Sequence, residues 1–484
     1  MLHERIGEDV ALVVDLDRTL ITGDVAMEAC VTVAKGGLLA LLGLLWLRLR
    51  GRAAMKTVLA RRAPVDPAGL AYRPAVLAVI ADARRQRRRV ILASAAHARN
   101  ARRVAAHLGL FDAVIASRAG RNVKGSAKLA AIRAELGDAP FDYVGDCAAD
   151  RTIWQAARVA YTVDAETGCA HQERLAAKGS LARALVKAAR PHQWAKNALV
   201  FVPLAASGLM TDGRAVLASL LAFAAMSLIA SSVYLLNDLL DIEADRLHPK
   251  KRHRPLASGA LPIPAALVAC AVAALGGLAL GWTLGLPAFA AMATYFALTV
   301  AYSMRLKAAM IADVLALACL YTIRIVAGAA AIAVPVSSWL LLFSVFFFLS
   351  LGYLKRYIEL RSSPRKRHEL LSGRGYTRSD IDIVAISGLA AGMVSVLVLV
   401  LFAEAMGQTG AYATPQLLWV LPIPLLYWLN RVWMMGRRGQ VDSDPVAFAI
   451  TDRKSIATGA LLALIFVMAK LAPLGGWLPQ GVIG

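Results

Sequence analysis

The sequence predicts two domains, an amino-terminal α/β domain and an all-α membrane domain after it. Short strand-like runs alternate with helical stretches over residues 1–178, which is typical of an open parallel sheet. Long apolar runs then recur through residues 196–484, as expected of membrane helices. The connecting segment 179–195 is basic and aromatic, and we expect it to form an interfacial linker helix.

Composition agrees with a chain that lies largely in lipid. Hydrophobic residues make up 58% of the 484 residues, more than in an ordinary soluble protein. The formal net charge is +22, and the Lys and Arg residues lie mainly in loops between the apolar runs. This distribution fits membrane topology and phosphate ligands better than nucleic-acid binding. The five cysteines form no CxxC pair, so neither a zinc site nor a disulfide framework is indicated.

Four polar motifs mark the amino-terminal domain. Two carboxylates follow the first predicted strand, a hydroxyl ends the second, an ammonium comes next, and two carboxylates end the third: Asp15, Asp17, Ser94, Lys124, Asp146 and Asp150. Lys128 competes with Lys124 for the ammonium position. Because the carboxyl ends of parallel strands meet at one edge, we expect these groups to converge. Paired carboxylates suit an aspartyl nucleophile beside an acid/base.

These motifs resemble those of haloacid dehalogenase-like hydrolases over roughly residues 8–175. The resemblance implies that Asp15 forms an aspartyl phosphate and that Asp17 is the general acid/base. Ser94 and Lys124 would hold phosphoryl oxygens. Mg²⁺ would be held by the acidic residues of the motifs, which are Asp15, Asp17, Asp146 and Asp150. The second aspartate favours the phosphatase subgroup; a domain that only folds and regulates is the alternative.

A helical cap is expected at about 25–75, between the first two motifs. Its apolar run, Gly36–Leu47, is too short to span a bilayer comfortably. One interpretation is a cap helix over the active site. The other is an interfacial helix that dips apolar side chains into the membrane surface between flanking arginines: Leu42, Leu44, Leu45 and Trp46 with Arg48, Arg50 and Arg52.

An acidic stripe ends the second apolar run. At 100° per residue, Asp238, Asp241 and Asp245 share a helical face with Asn237 beside them. Three carboxylates on one face repel each other and are costly to desolvate at a membrane boundary unless a hard cation lies between them. Mg²⁺ is the cation we expect there. Enough positive charge follows to hold a diphosphate against that metal: Arg246, Lys250, Lys251, Arg252 and Arg254. A solvated helix end with a positive-inside loop would explain only these basic residues.

We predict nine spans from the apolar runs 196–211, 214–236, 262–282, 286–303, 310–332, 336–354, 382–404, 415–435 and 455–474. The basic loops lie at 246–254, 304–307, 355–378 and 436–454. All of them fall on the side of the amino-terminal domain, so both candidate sites are expected to face the cytoplasm.

Nine helices with NDxxDxxxD at the end of the second resemble the UbiA superfamily of intramembrane prenyltransferases over roughly residues 185–475. Its members hold a prenyl diphosphate through two acidic motifs. After the sixth span, however, this chain reads GYLKRYIELRSSPRKRHEL, which is cationic. That variant resembles the polyprenyl-phosphate phosphoribosyltransferase branch, through RPHQWAKN, the acidic segment, YSMRLK, the stretch from Asp313, and LKRYIEL.

The resemblance implies that the acidic stripe, including Asn237, holds Mg²⁺ on the diphosphate of phosphoribosyl pyrophosphate. Further basic residues would bind the diphosphate, the ribose 5-phosphate or the lipid phosphate: Lys250, Lys251, Arg254, Lys355, Arg356, Lys196 and Arg324. An internal salt bridge to Asp313 or Glu359 is the alternative for Arg324.

The expected function is therefore bifunctional. The membrane domain would transfer 5-phosphoribose to a polyprenyl phosphate, and the amino-terminal domain would remove the 5-phosphate. The alternative is transfer of a prenyl group to an aromatic acceptor, with a separate or regulatory role for the soluble domain. A lipid-phosphate carrier is disfavoured because no internal repeat is apparent. Membrane lipids are expected partners, nucleic acid is not, and a homo-oligomer is possible.

Overall fold

A computed structural model describes residues 10–49, 52–118, 122–163, 171–176, 179–363, 368–371, 373–407, 412–441 and 444–472. The chain divides into two compact units. The first comprises Met1–Arg190 and Tyr234–Ala271, and the second comprises Pro191–Val233 and Val272–Gly484. The first unit thus contains the α/β domain together with the acidic stripe. The sequence-based boundaries at residues 178 and 196 stay predictions.

The first unit is built on six parallel strands in the order β3-β2-β1-β4-β5-β6. The strands are β1 Ala11–Val14, β2 Val90–His97, β3 Ala113–Ser117, β4 Phe141–Gly145, β5 Ala160–Val163 and β6 Gln172–Ala176. Central β1 pairs with β2 and β4, and Val13 lies opposite both Ile91 and Tyr143. Every residue of β1 and β4 is buried, as expected where helices cover both faces of a parallel sheet. The predicted α/β class is confirmed.

Helices surround this sheet. Between β1 and β2 the predicted cap region holds Val25–Ala34, Leu38–Leu49, Arg52–Arg62 and then Pro74–Arg85. The remaining helices of the unit include Ala98–Leu108, Ser126–Leu136, Arg151–Ala156, Leu181–Ala189 and Ile242–Leu247. Within Leu38–Leu49 the Trp46 side chain is exposed. The side chains of Leu42, Leu45, Arg48, Arg50 and Arg52 lie outside the described residues, so contact of this helix with the membrane surface stays a prediction.

The described residues contain eight helices that are long and apolar enough to cross a membrane. They are Gly213–Leu240, Ile263–Thr283, Leu286–Met304, Ala312–Ala331, Ser338–Ser362, Arg378–Met406, Pro415–Arg437 and Arg453–Leu471. The helical membrane domain is confirmed, but the count of nine is not. The expected first span at 196–211 instead consists of the 3-10 segment Pro191–Phe201 and the short helix Val202–Ser207, which ends at Gly208 in the left-handed region.

Candidate active sites

The first candidate site lies where three adjacent strands end. Asp15 directly follows β1, Ser94 lies in the carboxyl half of β2, and Asp146 directly follows β4. Their strands are neighbours in the order β2-β1-β4, so the motifs meet at one edge of the sheet. The buried Ser94 Oγ accepts a hydrogen bond from the amide of Ala96 at 3.0 Å. The strand order therefore brings the Asp15 and Asp146 carboxyl groups and the Ser94 hydroxyl to the same edge of the sheet.

The ammonium of this site comes from Lys128. Its Nζ lies 3.0 Å from Asp15 Oδ1 and 3.3 Å from Asp150 Oδ1, and all three side chains are buried. Lys124, by contrast, is exposed ahead of the helix Ser126–Leu136. The ammonium assignment therefore moves from Lys124 to its competitor, because only Lys128 lies on the inward face of that helix. Asp150 therefore also pairs with the Lys128 ammonium group.

Burial raises the pKa of Asp15, although the Lys128 ammonium opposes the shift. For Lys128 itself, burial would lower the pKa, but the carboxylates of Asp15 and Asp150 outweigh it and the pKa is raised. Each group therefore favours the charged form of the other. A nucleophilic aspartate has to be ionised, and a buried ammonium at 3.0 Å favours that form.

Asp17 has the surroundings of a general acid. Its Oδ1 accepts a hydrogen bond from the amide of Val25 at 2.9 Å. Burial raises the pKa of Asp17 to about 8, and the nearby Asp24 adds to the shift. Lys56, in the cap helix Arg52–Arg62, opposes the shift and donates a hydrogen bond to the Ala95 carbonyl at 3.1 Å. A protonated carboxyl at neutral pH suits protonation of a leaving group. Lys56 could not be identified from sequence, since one basic residue in a cap carries no signal of its own.

A divalent cation fits the acidic corner of this site. Ligand atoms of Asp146, Cys147 and Asp150 all lie within 4.8 Å of one another. Burial raises the pKa of Asp146 to about 6, while Arg18, whose Nε lies 3.2 Å from Asp146 Oδ2, opposes the shift. The charge of Asp15 also raises this pKa, so Asp15 and Asp146 interact. Carboxylate oxygens in this arrangement are ligands that Mg²⁺ prefers.

The second candidate site, also in the first unit, is the acidic stripe. The helix Gly213–Leu240 ends just before Asp241, and Ile242–Leu247 begins after it. Arg254 Nη1 lies 3.1 Å from Asp238 Oδ1 and 2.6 Å from Asp245 Oδ2, and Arg190 also pairs with Asp238. The structure thus brings Asp238 and Asp245 together across the break. Asn237 and Asp241 are half-buried alongside, whereas Lys250 and Lys251 are exposed.

One atom of this stripe is unsatisfied. Asp238 Oδ2 is buried and has no hydrogen-bond partner among the described residues. A buried carboxylate oxygen without a partner is costly, and a bound cation would satisfy it. The stripe therefore fits a divalent metal ion, with Asp238 as its most buried ligand.

In the second unit, Lys196, Arg324 and Lys355 form a group of cations. Lys196 pairs with Asp444, and Arg324 and Lys355 lie close enough to influence the Lys196 charge. The buried Arg324 donates to Asn197 Oδ1 at 2.9 Å and to the Tyr295 hydroxyl at 3.0 Å. Within the described part of the chain, neither Arg324 nor Lys355 forms an ion pair. The proposed bridge from Arg324 to Asp313 or Glu359 is therefore not formed.

Arg356 takes both of those carboxylates instead. Its guanidinium is fully buried and pairs with Asp313 and Glu359, and its Nη2 donates to the Tyr302 hydroxyl at 2.9 Å. From sequence, Arg356 is expected beside Lys355 as a phosphate ligand. Consecutive residues of a helix point to different faces, and here Arg356 pairs with internal acids. A substrate phosphate would have to compete with two carboxylates for this guanidinium.

Comparison with known proteins identifies families for both parts of the chain. Residues 198–368 match the UbiA prenyltransferase family, and residues 12–153 match haloacid dehalogenase-like hydrolases. An uncharacterized protein of Sinorhizobium fredii, y4nM, is 36% identical over 95% of this chain and 90% of its own length. The nodulation protein NoeC of Azorhizobium caulinodans is 38% identical over 58% of this chain and 92% of its own length.

A decaprenyl-phosphate phosphoribosyltransferase of Mycolicibacterium smegmatis is 40% identical over 38% of this chain and 60% of its own length. Both matched families are families of enzymes that generally depend on divalent metal ions. Together with the apolar helices, the family match makes the chain a multi-pass membrane protein. The chain belongs to the UbiA prenyltransferase family and carries a haloacid dehalogenase-like domain at its amino terminus.

Proposed function

We propose that the membrane domain transfers 5-phosphoribose from phosphoribosyl pyrophosphate to a polyprenyl phosphate, and that the haloacid dehalogenase-like domain then removes the 5-phosphate. The observation that carries the proposal is the pairing of the acids near the cationic motif GYLKRYIEL, which follows the predicted sixth span. Asp313 and Glu359 both neutralise Arg356, while Lys355 has no ion pair within the described residues. That motif thus offers a cation to a phosphate, and its acids are not free to hold a second metal ion.

The relatives named decaprenyl-phosphate phosphoribosyltransferase support this choice. A prenyltransferase that held prenyl diphosphate between two acidic motifs would need carboxylates at the second position. Transfer of a prenyl group to an aromatic acceptor is therefore the weaker alternative.

In the proposed transfer, a phosphate oxygen of the lipid attacks C1 of the ribose and the bond from C1 to pyrophosphate breaks. Mg²⁺ held by Asn237, Asp238, Asp241 and Asp245 would supply Lewis-acid stabilisation of the leaving diphosphate. Charge that develops on that group would be stabilised by Arg254, with Lys250 and Lys251 at the exposed side. The cations Lys196, Arg324 and Lys355 would bind the remaining phosphate.

In the proposed hydrolysis, Asp15 attacks phosphorus and Asp17 gives its proton to the departing ribose oxygen. Water then attacks the aspartyl phosphate, and Asp17 accepts a proton from it. Lys128 and Ser94 would hold the phosphoryl oxygens, and Asp146 would hold the metal ion with Asp15. Inorganic phosphate and polyprenyl-phosphoryl ribose are the products. Removal of phosphate would make the overall sequence irreversible.

We place both reactions at the cytoplasmic face of a bacterial plasma membrane. The support is the distribution of Lys and Arg, which gather in the loops on the side of the amino-terminal domain. Phosphoribosyl pyrophosphate is a charged soluble substrate, whereas the polyprenyl phosphate enters from the bilayer.

The test is to incubate the purified protein in detergent with Mg²⁺, radiolabelled phosphoribosyl pyrophosphate and a polyprenyl phosphate. We expect label to enter lipid with wild type and with Asp15→Asn, but not with Asp241→Asn. Only Asp15→Asn should accumulate the phosphorylated lipid. Absence of labelled lipid, with consumption of a prenyl diphosphate and an aromatic acceptor, would establish the alternative.

A further inference from the structure

Arg246 connects the cap to the segment that follows the acidic stripe. Its side chain is 7% exposed and that of Glu28 is 3% exposed. Arg246 Nη2 and Nη1 donate to the two carboxylate oxygens of Glu28 at 2.7 and 3.1 Å. Nη1 also donates to the Gly69 carbonyl at 3.1 Å, and Nε donates to the Ala257 carbonyl at 3.2 Å. One guanidinium therefore holds the first cap helix, the end of the cap region and the loop after the stripe.

Apolar packing surrounds this ion pair. Val31 of the cap helix lies in one buried cluster with residues on both sides of the acidic stripe: Leu235, Leu239, Ile242, Leu256 and Leu261. Gly259 has φ +77°, and a Cβ on it would lie 2.1 Å from Thr22 Oγ1. Thr22 closely follows the segment that carries Asp15 and Asp17. The loop after the acidic stripe thus lies directly against the Thr22 side chain.

We propose that Arg246 is a positioning residue for both active sites. On one side it fixes Glu28, which lies in the first turn of Val25–Ala34, and the Val25 amide of that helix donates to Asp17. On the other side it directly follows Asp245, which shares Arg254 with Asp238. The proposal rests on the proposed function and adds that the two sites depend on one ion pair.

This geometry changes the role expected of Arg246 from sequence, where it counted among cations that hold a diphosphate. Its donors are taken by Glu28 and two backbone carbonyls. A carboxylate buried against a guanidinium in two-point contact fixes orientation as well as distance. Loss of that contact would let the cap helix shift relative to Asp17. Because misplacement by 1 Å costs up to about 100-fold in rate, proton donation should suffer first.

The informative variant is Arg246→Lys in the full chain, since lysine keeps the charge but cannot reach all four acceptors. Two soluble phosphate esters separate the outcomes. An alkyl phosphate needs a proton on its leaving group, and p-nitrophenyl phosphate does not. We expect Arg246→Lys to slow alkyl phosphate hydrolysis about 10-fold more than p-nitrophenyl phosphate hydrolysis, and to raise the Mg²⁺ concentration for half-maximal label transfer.

The reversed pair, Glu28→Arg with Arg246→Glu, should recover part of both losses. Lys35→Met is the matched control, because Lys35 pairs with Glu243 across the same contact at 3.0 Å but both groups are partly exposed. It should change either rate by no more than about 2-fold.

Equal loss with both esters would show that Arg246 only supports folding and would overturn the proposal. Loss of label transfer alone, without recovery in the reversed pair, would show direct binding of the diphosphate. The ester assays contain no phosphoribosyl pyrophosphate. Failure of wild type to label lipid would therefore reject the proposed function, while the difference between the two esters would still decide the role of Arg246.

Discussion

Replacing Arg356 with methionine tests whether this residue is structural or binds substrate. The change removes the partner of two carboxylates, one of which, Asp313, is fully buried. Among the described residues, Asp313 would keep only the hydrogen bond from the Tyr376 hydroxyl at 2.7 Å. Breaking a buried ion pair by removing one partner costs about 3–5 kcal/mol, because the other charge is left uncompensated. We expect a loss of this size in the free energy of unfolding.

The assay is denaturant titration of the detergent-solubilised protein, followed by tryptophan fluorescence. The double variant Arg356→Met with Asp313→Asn removes the stranded charge and should regain more than half of the loss. Lys355→Met is the control on the same helix. Since Lys355 has no ion pair within the described residues, its replacement should change the free energy of unfolding by less than about 1 kcal/mol while lipid labelling falls.

The opposite pattern would refute the structural role. If Arg356→Met unfolded at the same denaturant concentration as wild type but needed more phosphoribosyl pyrophosphate for half-maximal labelling, Arg356 would be a substrate ligand. An equal loss of stability for Lys355→Met would contradict the distinction between the two side chains.

Three further predictions concern other contacts. Lys128→Met should lower hydrolysis of p-nitrophenyl phosphate by at least about 100-fold, whereas Lys124→Met should leave it nearly unchanged; equal effects would return the ammonium to Lys124. Burial raises the pKa of Asp17 to about 8, so the acid form of Asp17 is lost as the pH rises through that value. Alkyl phosphate hydrolysis should therefore fall above pH 8, whereas p-nitrophenyl phosphate hydrolysis should not. Gly328→Ala should destabilise the protein by about 1–3 kcal/mol, since the new Cβ would lie 2.1 Å from a backbone carbonyl oxygen. Gly459 has open space around it, so Gly459→Ala should instead stabilise its helix by up to about 1 kcal/mol.

The sheet and its catalytic edge were predictable because each motif is attached to a strand. Asp15, Ser94 and Asp146 follow or end apolar runs of strand length, and parallel pairing then aligns their ends. The choice between Lys124 and Lys128 was not predictable in this way. It depends on where the helix Ser126–Leu136 begins and which of its faces turns inward. The two lysines are only four positions apart, so the sequence allows either of them.

Ion pairs between residues far apart in the sequence could not be predicted either. Arg246 meets Glu28 from 218 residues away, and Arg356 meets Asp313 from 43 residues away. A buried charge in a membrane protein needs a partner, but that rule does not say which one. Residues 196–211 were not confirmed as a span, and the reason is local. Their apolar composition is suitable, yet Pro203 and Gly208 confine the α-helix to Val202–Ser207.

The buried cations of the second unit differ in their partners, and this difference predicts which of them bind a phosphate. Arg356 already pairs with Asp313 and Glu359, so a phosphate would have to compete with two carboxylates for it. Lys196 pairs with Asp444, and the charges of Lys355 and Arg324 lie close enough to act on it. Neither Arg324 nor Lys355 forms an ion pair among the described residues. Holding three cations close together is costly in a low-dielectric interior, and a bound phosphate would reduce that repulsion. Arg324 is held by the Asn197 side chain, the Tyr295 hydroxyl and the rings of Tyr295 and Tyr321 rather than by a carboxylate of the described residues. We therefore predict that its charge is available to a phosphate.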